Sequence, residues 1–262
     1  HSLQTQFVSR FGRGSQVQAS YTLSRSRANL ALTDSGQLAA NTAQLDLQDP
    51  DLDWGRPETG RTHIFNSSRV WLLPTLEDRP TLTRHALGDW EIAAIVTAGT
   101  GQPLTVFAGG LPGFTGGPSG TGFTDNQRPN HVADQPCRAS SGPDEQIINP
   151  AAYTLDGFRL GTIGSARRGD CTGPGYFQTD LAIYKNVRAG NRVKLQFRWD
   201  IFNLFNNKNF LFAGLNTTMG ASAVTLNAAG TEIANATIPA SFGQASRVRD
   251  PRQMQFGFKI LW

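Results

Sequence analysis

The chain has 262 residues, with 24 Lys and Arg against 20 Asp and Glu, a net charge of +4. No run of five or more basic residues occurs, so nucleic acid is not an expected partner, and no stretch approaches ~18 consecutive apolar residues, so no membrane-spanning helix is encoded. Only 17% of residues are charged, below the ~25% of ordinary soluble domains, while Gly (28) and Pro (14) are plentiful, a neutral-polar balance suited to a β-barrel with a wet lumen and large loops.

Period-two patterning runs through the chain, and period two places alternate residues on opposite faces of a strand. Residues 3–11 carry Leu3, Phe7 and Phe11 on one parity and Gln4, Gln6 and Arg10 on the other. The turn Gly12-Arg13-Gly14-Ser15 leads into 16–26, where Val17, Ala19, Tyr21 and Leu23 oppose Gln16, Gln18, Ser20 and Thr22. Residues 28–60 lack a sustained period and read as a long loop. A strand is expected over 62–73, with Phe65 and Trp71 sharing parity with Arg69, so that its faces are not assigned by pattern. After a polar connection, 88–107 reads as one long strand or two broken near Gly99–Pro103, with Trp90, Ile92, Ala94 and Val96 as its apolar parity.

Residues 108–175 form the longest irregular region, and loops of this length are uncommon inside compact domains. Strands follow over 176–187 and 193–205. In the second, Val193, Leu195, Phe197, Trp199 and Ile201 alternate with Lys194, Gln196, Arg198 and Asp200. Residues 206–250 are again irregular. The last strand, 252–262, sets Met254, Phe256, Phe258, Ile260 and Trp262 against Gln253, Gln255, Gly257 and Lys259.

Short and long connections alternate strictly along these seven strands, which puts every long loop at one rim and every short turn at the other. Outer-membrane barrels have this asymmetry, with long loops outside and short turns in the periplasm. A strand of ~10 residues tilted ~45° spans about 23 Å, close to the apolar band such barrels need. Lipid cannot satisfy backbone N–H and C=O groups, so strands must close into a ring. The apolar parities are therefore expected to face lipid: Val193, Leu195, Phe197, Trp199, Ile201, Met254, Phe256 and Phe258. Lys194, Arg198 and Asp200 are expected to face the lumen, and Trp71, Trp90, Tyr21 and Trp262 to sit in the interfacial girdles.

The expected fold is all-β: an antiparallel up-and-down transmembrane β-barrel segment with long extracellular loops. Single-chain bacterial barrels start at eight strands and are even in number. Seven strands therefore read as the C-terminal part of a larger barrel, and the start at His1 rather than Met reads as a processed chain or a piece of a longer one.

Several phrases resemble one family. They are Asp53-Trp54-Gly55-Arg56 followed by Arg61-Thr62-His63-Ile64-Phe65; Gly88-Asp89-Trp90-Glu91-Ile92 followed by Gly101-Gln102-Pro103-Leu104; Arg128-Pro129-Asn130; and Asn149-Pro150-Ala151-Ala152-Tyr153. The run Asp180-Leu181-Ala182-Ile183-Tyr184-Lys185-Asn186, then Leu195-Gln196-Phe197-Arg198 and Phe202-Asn203-Leu204-Phe205-Asn206, is the most specific, and Arg249-Asp250-Pro251-Arg252 completes the series. Together they resemble the Oar-like branch of TonB-dependent outer-membrane receptors. The resemblance implies a barrel of about 22 strands with an N-terminal plug, energised through TonB to import bulky nutrients. Plug and N-terminal strands are not in this sequence and would come from the same or a separate chain. Gln255, Gly257, Ile260 and Trp262 resemble the C-terminal signal read by the barrel-assembly machinery.

Cys137 and Cys171 are read as a disulfide, worth about 3–4 kcal/mol by loop entropy, with two unpaired loop thiols as the alternative. Asp49, Asp51 and Asp53 alternate in a loop and could offer oxygens to Ca²⁺, but the EF-hand Gly and Glu are missing and a solvated acidic loop is the plainer reading. No nucleophile–base pair or phosphate loop stands out, so no catalysis and no cofactor are expected. Ligand contacts are expected on the long loops, at Trp54, Phe114, Phe123, Arg128, Arg167 and Arg168. Two other functions compete with a receptor: an autotransporter or adhesin-type barrel, and a secreted carbohydrate-binding β-sandwich.

Overall fold

The computed structural model describes residues 1–12, 14–29, 45, 49–109, 127–140, 144–189 and 193–262. Seven long strands form one antiparallel sheet: β1 (Ser2–Phe11), β2 (Ser15–Ser24), β3 (His63–Leu72), β4 (Trp90–Gly99), β5 (Tyr176–Ala189), β6 (Val193–Phe202) and β7 (Gln253–Leu261). Their order in the sheet is their order in the chain. Each strand therefore hydrogen-bonds to its sequence neighbours, as an up-and-down meander requires.

The register shows why the pattern was legible. Phe7 opposes Ala19, Tyr21 opposes Phe65, and Trp71 opposes Ile92. Ile92 opposes Ile183, Ile183 opposes Trp199, and Trp199 opposes Phe256. Every apolar parity thus lands on a single face of the sheet. The other face carries Gln4, Gln6, Gln18, Asn66, Thr97, Gln178, Asp180, Tyr184, Arg198, Asp200 and Gln255. The ambiguous strand β3 is settled by its neighbours: Phe65, Ser67, Arg69 and Trp71 are on the apolar side.

Among the described residues, no second sheet covers the apolar face. Phe197, Phe256 and Phe258 are 50%, 76% and 55% exposed, with Phe197 and Phe258 rings 4.9 Å apart and Trp199 stacked on Phe256 at 5.6 Å. A water-soluble sandwich would bury these rings. Val193 and Leu195 are half-buried on the same side, and Met254 is exposed. Ile201 departs from the expected lipid contact: it is 4% exposed. It sits where the chain leaves β6 and folds back, with Leu204 donating its amide to Thr179 O on β5 at 2.7 Å, so neighbouring protein covers it.

On the inner face Arg198 and Asp200 form an ion pair, and Asp180 is held by neutral donors. Arg198 Nε donates to Asp200 Oδ2 at 2.5 Å, and the Arg198 guanidinium lies 5.2 Å from the Tyr184 ring centroid. Asp180 accepts from Gln178 Nε2 at 3.0 Å and from the Asn203 amide at 2.8 Å. Trp71, Trp90 and Trp262 cluster at the short-turn end, whereas Tyr21 lies toward the long-loop end, where its hydroxyl meets His63 Nδ1 at 2.7 Å.

Strand 88–107 breaks after Gly99. At Gly101 a side chain is impossible, because a Cβ would lie 1.9 Å from Gly173 O. The chain turns there and Pro103–Leu104 pairs with Cys171–Thr172 instead. The connection of moderate length between β3 and β4 holds one helix, α1 (Thr81–Leu87).

The buried apolar core lies outside the sheet. Leu104, Val106, Ile148, Leu155, Phe158, Met219, Ile233 and Phe242 pack into one cluster at the long-loop end. The two connections expected to be irregular, 108–175 and 206–250, supply nearly all of it. They also contain an unforeseen hairpin, Ala223–Leu226 with Ile233–Thr237.

Candidate functional site

The described parts of the long connections 25–62, 100–175 and 203–252 build a cap over one end of the sheet. Its core joins residues over a hundred positions apart, and backbone bonds tie it further: Met219 N to Phe107 O at 2.8 Å and Ile147 N to Gly243 O at 2.9 Å. Cys137 and Cys171 form a disulfide with Cα atoms 5.6 Å apart, as expected.

Arginines stitch 49–62 to the rest of the cap. Arg56 Nε donates to Gly169 O at 2.7 Å, and its Nη2 to Cys171 O at 3.0 Å. Arg168 pairs with Glu58 at 3.3 Å, and Glu58 also accepts from Thr105 Oγ1 at 2.6 Å. Arg128 is ion-paired with Asp53 and donates to Leu52 O at 2.9 Å. The two segments run so close that a Cβ on Gly55 would lie 2.3 Å from Arg168 O.

These bonds correct the expectation for Arg128 and Arg168 and bear on the weaker cation reading of Asp49, Asp51 and Asp53. Arg128 and Arg168 are not free for a ligand: both are buried, and each holds a carboxylate of the neighbouring loop. Asp49, Asp51 and Asp53 do not converge on a cation site. Asp49 caps a short 3-10 turn by accepting from Asp51 N at 3.3 Å, while Asp53 is buried against Arg128 and accepts from Leu45 N at 2.7 Å. Among the described residues, no group of three His, Cys, Asp or Glu side chains could hold a metal.

A cleft of about 800 Å³ opens where β2 and β3 meet the cap. Arg25, Arg27, Arg56 and Arg61 line it together with Trp54, which is 52% exposed. Ser24, on the polar parity of β2 and bonded through its amide to Thr62 O at 2.9 Å, places it on the polar-face side of the rim. No carboxylate is among the described residues that line it. Nearby, the guanidinium groups of Arg61 and Arg249 lie 4.9 and 5.5 Å from the Tyr176 ring centroid. Burial holds Arg61 below the usual arginine range, opposed by Tyr176 and reinforced by Arg249. Such a lining attracts anionic groups by charge and planar or apolar surfaces by stacking.

Of the expected contacts, Trp54 therefore lies in the larger cleft. Arg167 is exposed and lines a smaller one of about 350 Å³ with His131, Ser165 and Asp170. Phe114 and Phe123 lie outside the described residues. Sequence pattern alone does not mark Arg25, Arg27, Arg56 and Arg61 as contacts; the available signal is their position toward the ends of the 25–62 connection, at the rim where the long loops gather. Asp170 accepts a hydrogen bond from the Tyr153 hydroxyl at 3.2 Å, and burial raises both their pKa values.

Of the tail residues, Gln255 and Gly257 lie on the polar parity and Ile260 on the apolar one, 47% exposed, and Trp262 follows the strand 93% exposed. The whole arrangement has a girdled apolar outer face, a polar inner face and loops at one rim. A family model described as an outer membrane beta barrel domain matches residues 1–255. The chain belongs to this family. As an outer membrane beta barrel domain it resides in the outer membrane, with the apolar face toward lipid. Comparison with curated proteins and with solved structures finds no match.

Proposed function

We propose that this barrel domain is the C-terminal part of a TonB-dependent receptor of the Oar-like branch, which takes up or surface-binds a bulky nutrient. The observation that carries the reading is the cap. Its loops are folded around their own core and locked by a disulfide, and they present an arginine-lined cleft to the lumen mouth. A barrel serving only as a membrane plug or pore wall needs no such preorganised rim. The ordered series of phrases from about residue 50 to the end supports the same family branch.

Strands β1 and β7 each have one neighbour among the described residues. Hydrocarbon leaves no water for their free edges. In this reading the remaining strands and an energy-coupling plug complete the ring.

The test is to purify the assembly from outer membranes in mild detergent and record its intact mass and composition. Additional barrel strands together with a plug, and substrate uptake abolished by a protonophore, are expected. An assembly closed by copies of this chain alone, with no plug, overturns the receptor reading.

A further inference from the structure

The helix α1 is amphipathic in the wrong sense for a water-exposed turn. Leu82 is 83% exposed, Leu87 is 61% exposed and Ala86 is exposed, whereas Arg84 and His85 are half-buried against the protein. At 100° per residue, Leu82, Ala86 and Leu87 lie within an arc of about 140° that also holds the half-buried Thr83, and Arg84 and His85 lie in the remaining arc with the exposed Thr81. In water this polarity leaves an apolar patch uncovered.

Three contacts show which side of the sheet the patch adjoins. Trp90, on the lipid-facing parity, donates its indole N–H to Ala86 O at 2.9 Å. Lys185 is on the same parity, opposite both Trp90 and Phe197, and its ammonium donates to Gly88 O. That ammonium also lies 5.2 Å from the Trp90 ring centroid. Lys185 is thereby 8% exposed although it belongs to the face turned to hydrocarbon. A charge there must reach polar atoms at the interface, and the carbonyl at the end of α1 provides one. Gly88 is fixed in this role: a Cβ would meet Thr75 O at 2.4 Å and Arg84 O at 2.8 Å. The helix is thus held at the outer edge of the short-turn end, beside Trp90 of the girdle. That end is periplasmic.

We propose that α1 is an in-plane membrane anchor. It lies in the periplasmic headgroup region, with Leu82, Ala86 and Leu87 in the acyl boundary of the inner-facing leaflet, and it shields Lys185 from hydrocarbon. The occupant of the patch is lipid, because the patch continues the lipid-facing girdle through Trp90 and because its own basic residues turn away from it. The anchor fixes the depth of the barrel and covers a cation that the outer face would otherwise expose. It rests on the outer-membrane assignment and not on the receptor reading.

The test uses the two native cysteines as a disulfide, leaving single introduced thiols free for an environment-sensitive fluorophore. L82C, L87C, E77C and F256C are each labelled in the full assembly in bilayers. Glu77 is exposed in the same connection and serves as the water control; Phe256 serves as the lipid control. Labels at 82 and 87 are expected to emit at shorter wavelength than at 77, to be quenched by brominated lipid as at 256, and to show at least ~3-fold less iodide quenching than at 77. Iodide quenching at 82 and 87 equal to that at 77, with 256 still in lipid, overturns the anchor. Protection from both quenchers at 82 and 87 also overturns it, since a protein would then cover the helix. Water exposure at all of these positions, 256 included, overturns the membrane placement itself.

Discussion

Arg128 and Asp53, 75 positions apart in the chain, meet in a buried ion pair with side-chain exposures of 5% and 3%. The pair joins the first long loop to the second, and the Arg128 guanidinium is held below the usual arginine range by burial, with Asp53 opposing the shift. Breaking a buried pair by removing one partner leaves an uncompensated charge, at a cost of ~3–5 kcal/mol. Asp53→Asn or Arg128→Met alone should therefore loosen the cap, read as faster hydrogen exchange over 50–58 and 127–131. Replacing both by apolar residues should restore much of the loss, because the desolvation cost of the pair disappears with it. Exchange in the double variant as fast as in the singles would contradict this account.

The disulfide should act on the cap and not on the sheet. Cys137 and Cys171 close 34 residues, and the loop-entropy model assigns about 3–4 kcal/mol to such a closure. Cys137→Ser with Cys171→Ser should speed proteolysis within 128–172. Heat resistance of the seven-stranded sheet, followed by gel mobility without boiling, should stay unchanged. Loss of both together would mean that the cap holds the sheet.

Acid should favour the folded cap at one identifiable group. Burial raises the Asp170 carboxyl above its usual range, against the lowering effects of the Tyr153 hydroxyl and the charge of His131. A group with a raised folded pKa binds its proton more tightly when folded. Its contribution is complete below the unfolded value near ~4 and is lost as pH rises through the raised value. Cap stability relative to Asp170→Asn should thus fall as pH increases through that window and level off above it. The check is urea midpoints of both proteins between pH 4 and 7; parallel curves would remove Asp170 from the balance.

The strands were legible and the cap was not, for one physical reason. A strand in a barrel is read by its neighbours one residue away: Phe197 beside Arg198, or Phe256 beside Gln255, is enough to separate lipid from lumen. The cap core is assembled from Leu104, Ile148, Leu155 and Phe242, which share no period and meet only when three loops fold together. Arg128 and Arg168 looked like free loop cations because their partners Asp53 and Glu58 lie 75 and 110 positions away. Ile201 follows the lipid parity in sequence, yet the fold-back at Leu204 onto Thr179 covers it, a relation no local pattern contains. Strand β3 shows the reverse case. Its own pattern left Arg69 and Asn66 undecided, and only pairing with Val17 and Ala94 fixed which of them faces outward.

The two faces of β7 should respond oppositely to charge. Phe256 stacks on Trp199 and is 76% exposed on the lipid side, while Gln255 opposes Asp200 on the inner face. An arginine facing lipid near mid-bilayer costs ~2–4 kcal/mol, because its hydration must be abandoned or the bilayer deformed to reach it. Phe256→Arg should lower the stability of the assembly in bilayers by about that amount. Gln255→Arg should cost far less, since the inner face is wet and Asp200 lies directly across the ladder, where an opposite charge is favourable. Denaturant titrations in vesicles of defined thickness measure both. Thinner bilayers should reduce the Phe256→Arg penalty, because they bring the guanidinium nearer to headgroup oxygens, and should leave Gln255→Arg unchanged. Equal penalties for the two substitutions would mean that the outer face of the sheet does not contact hydrocarbon.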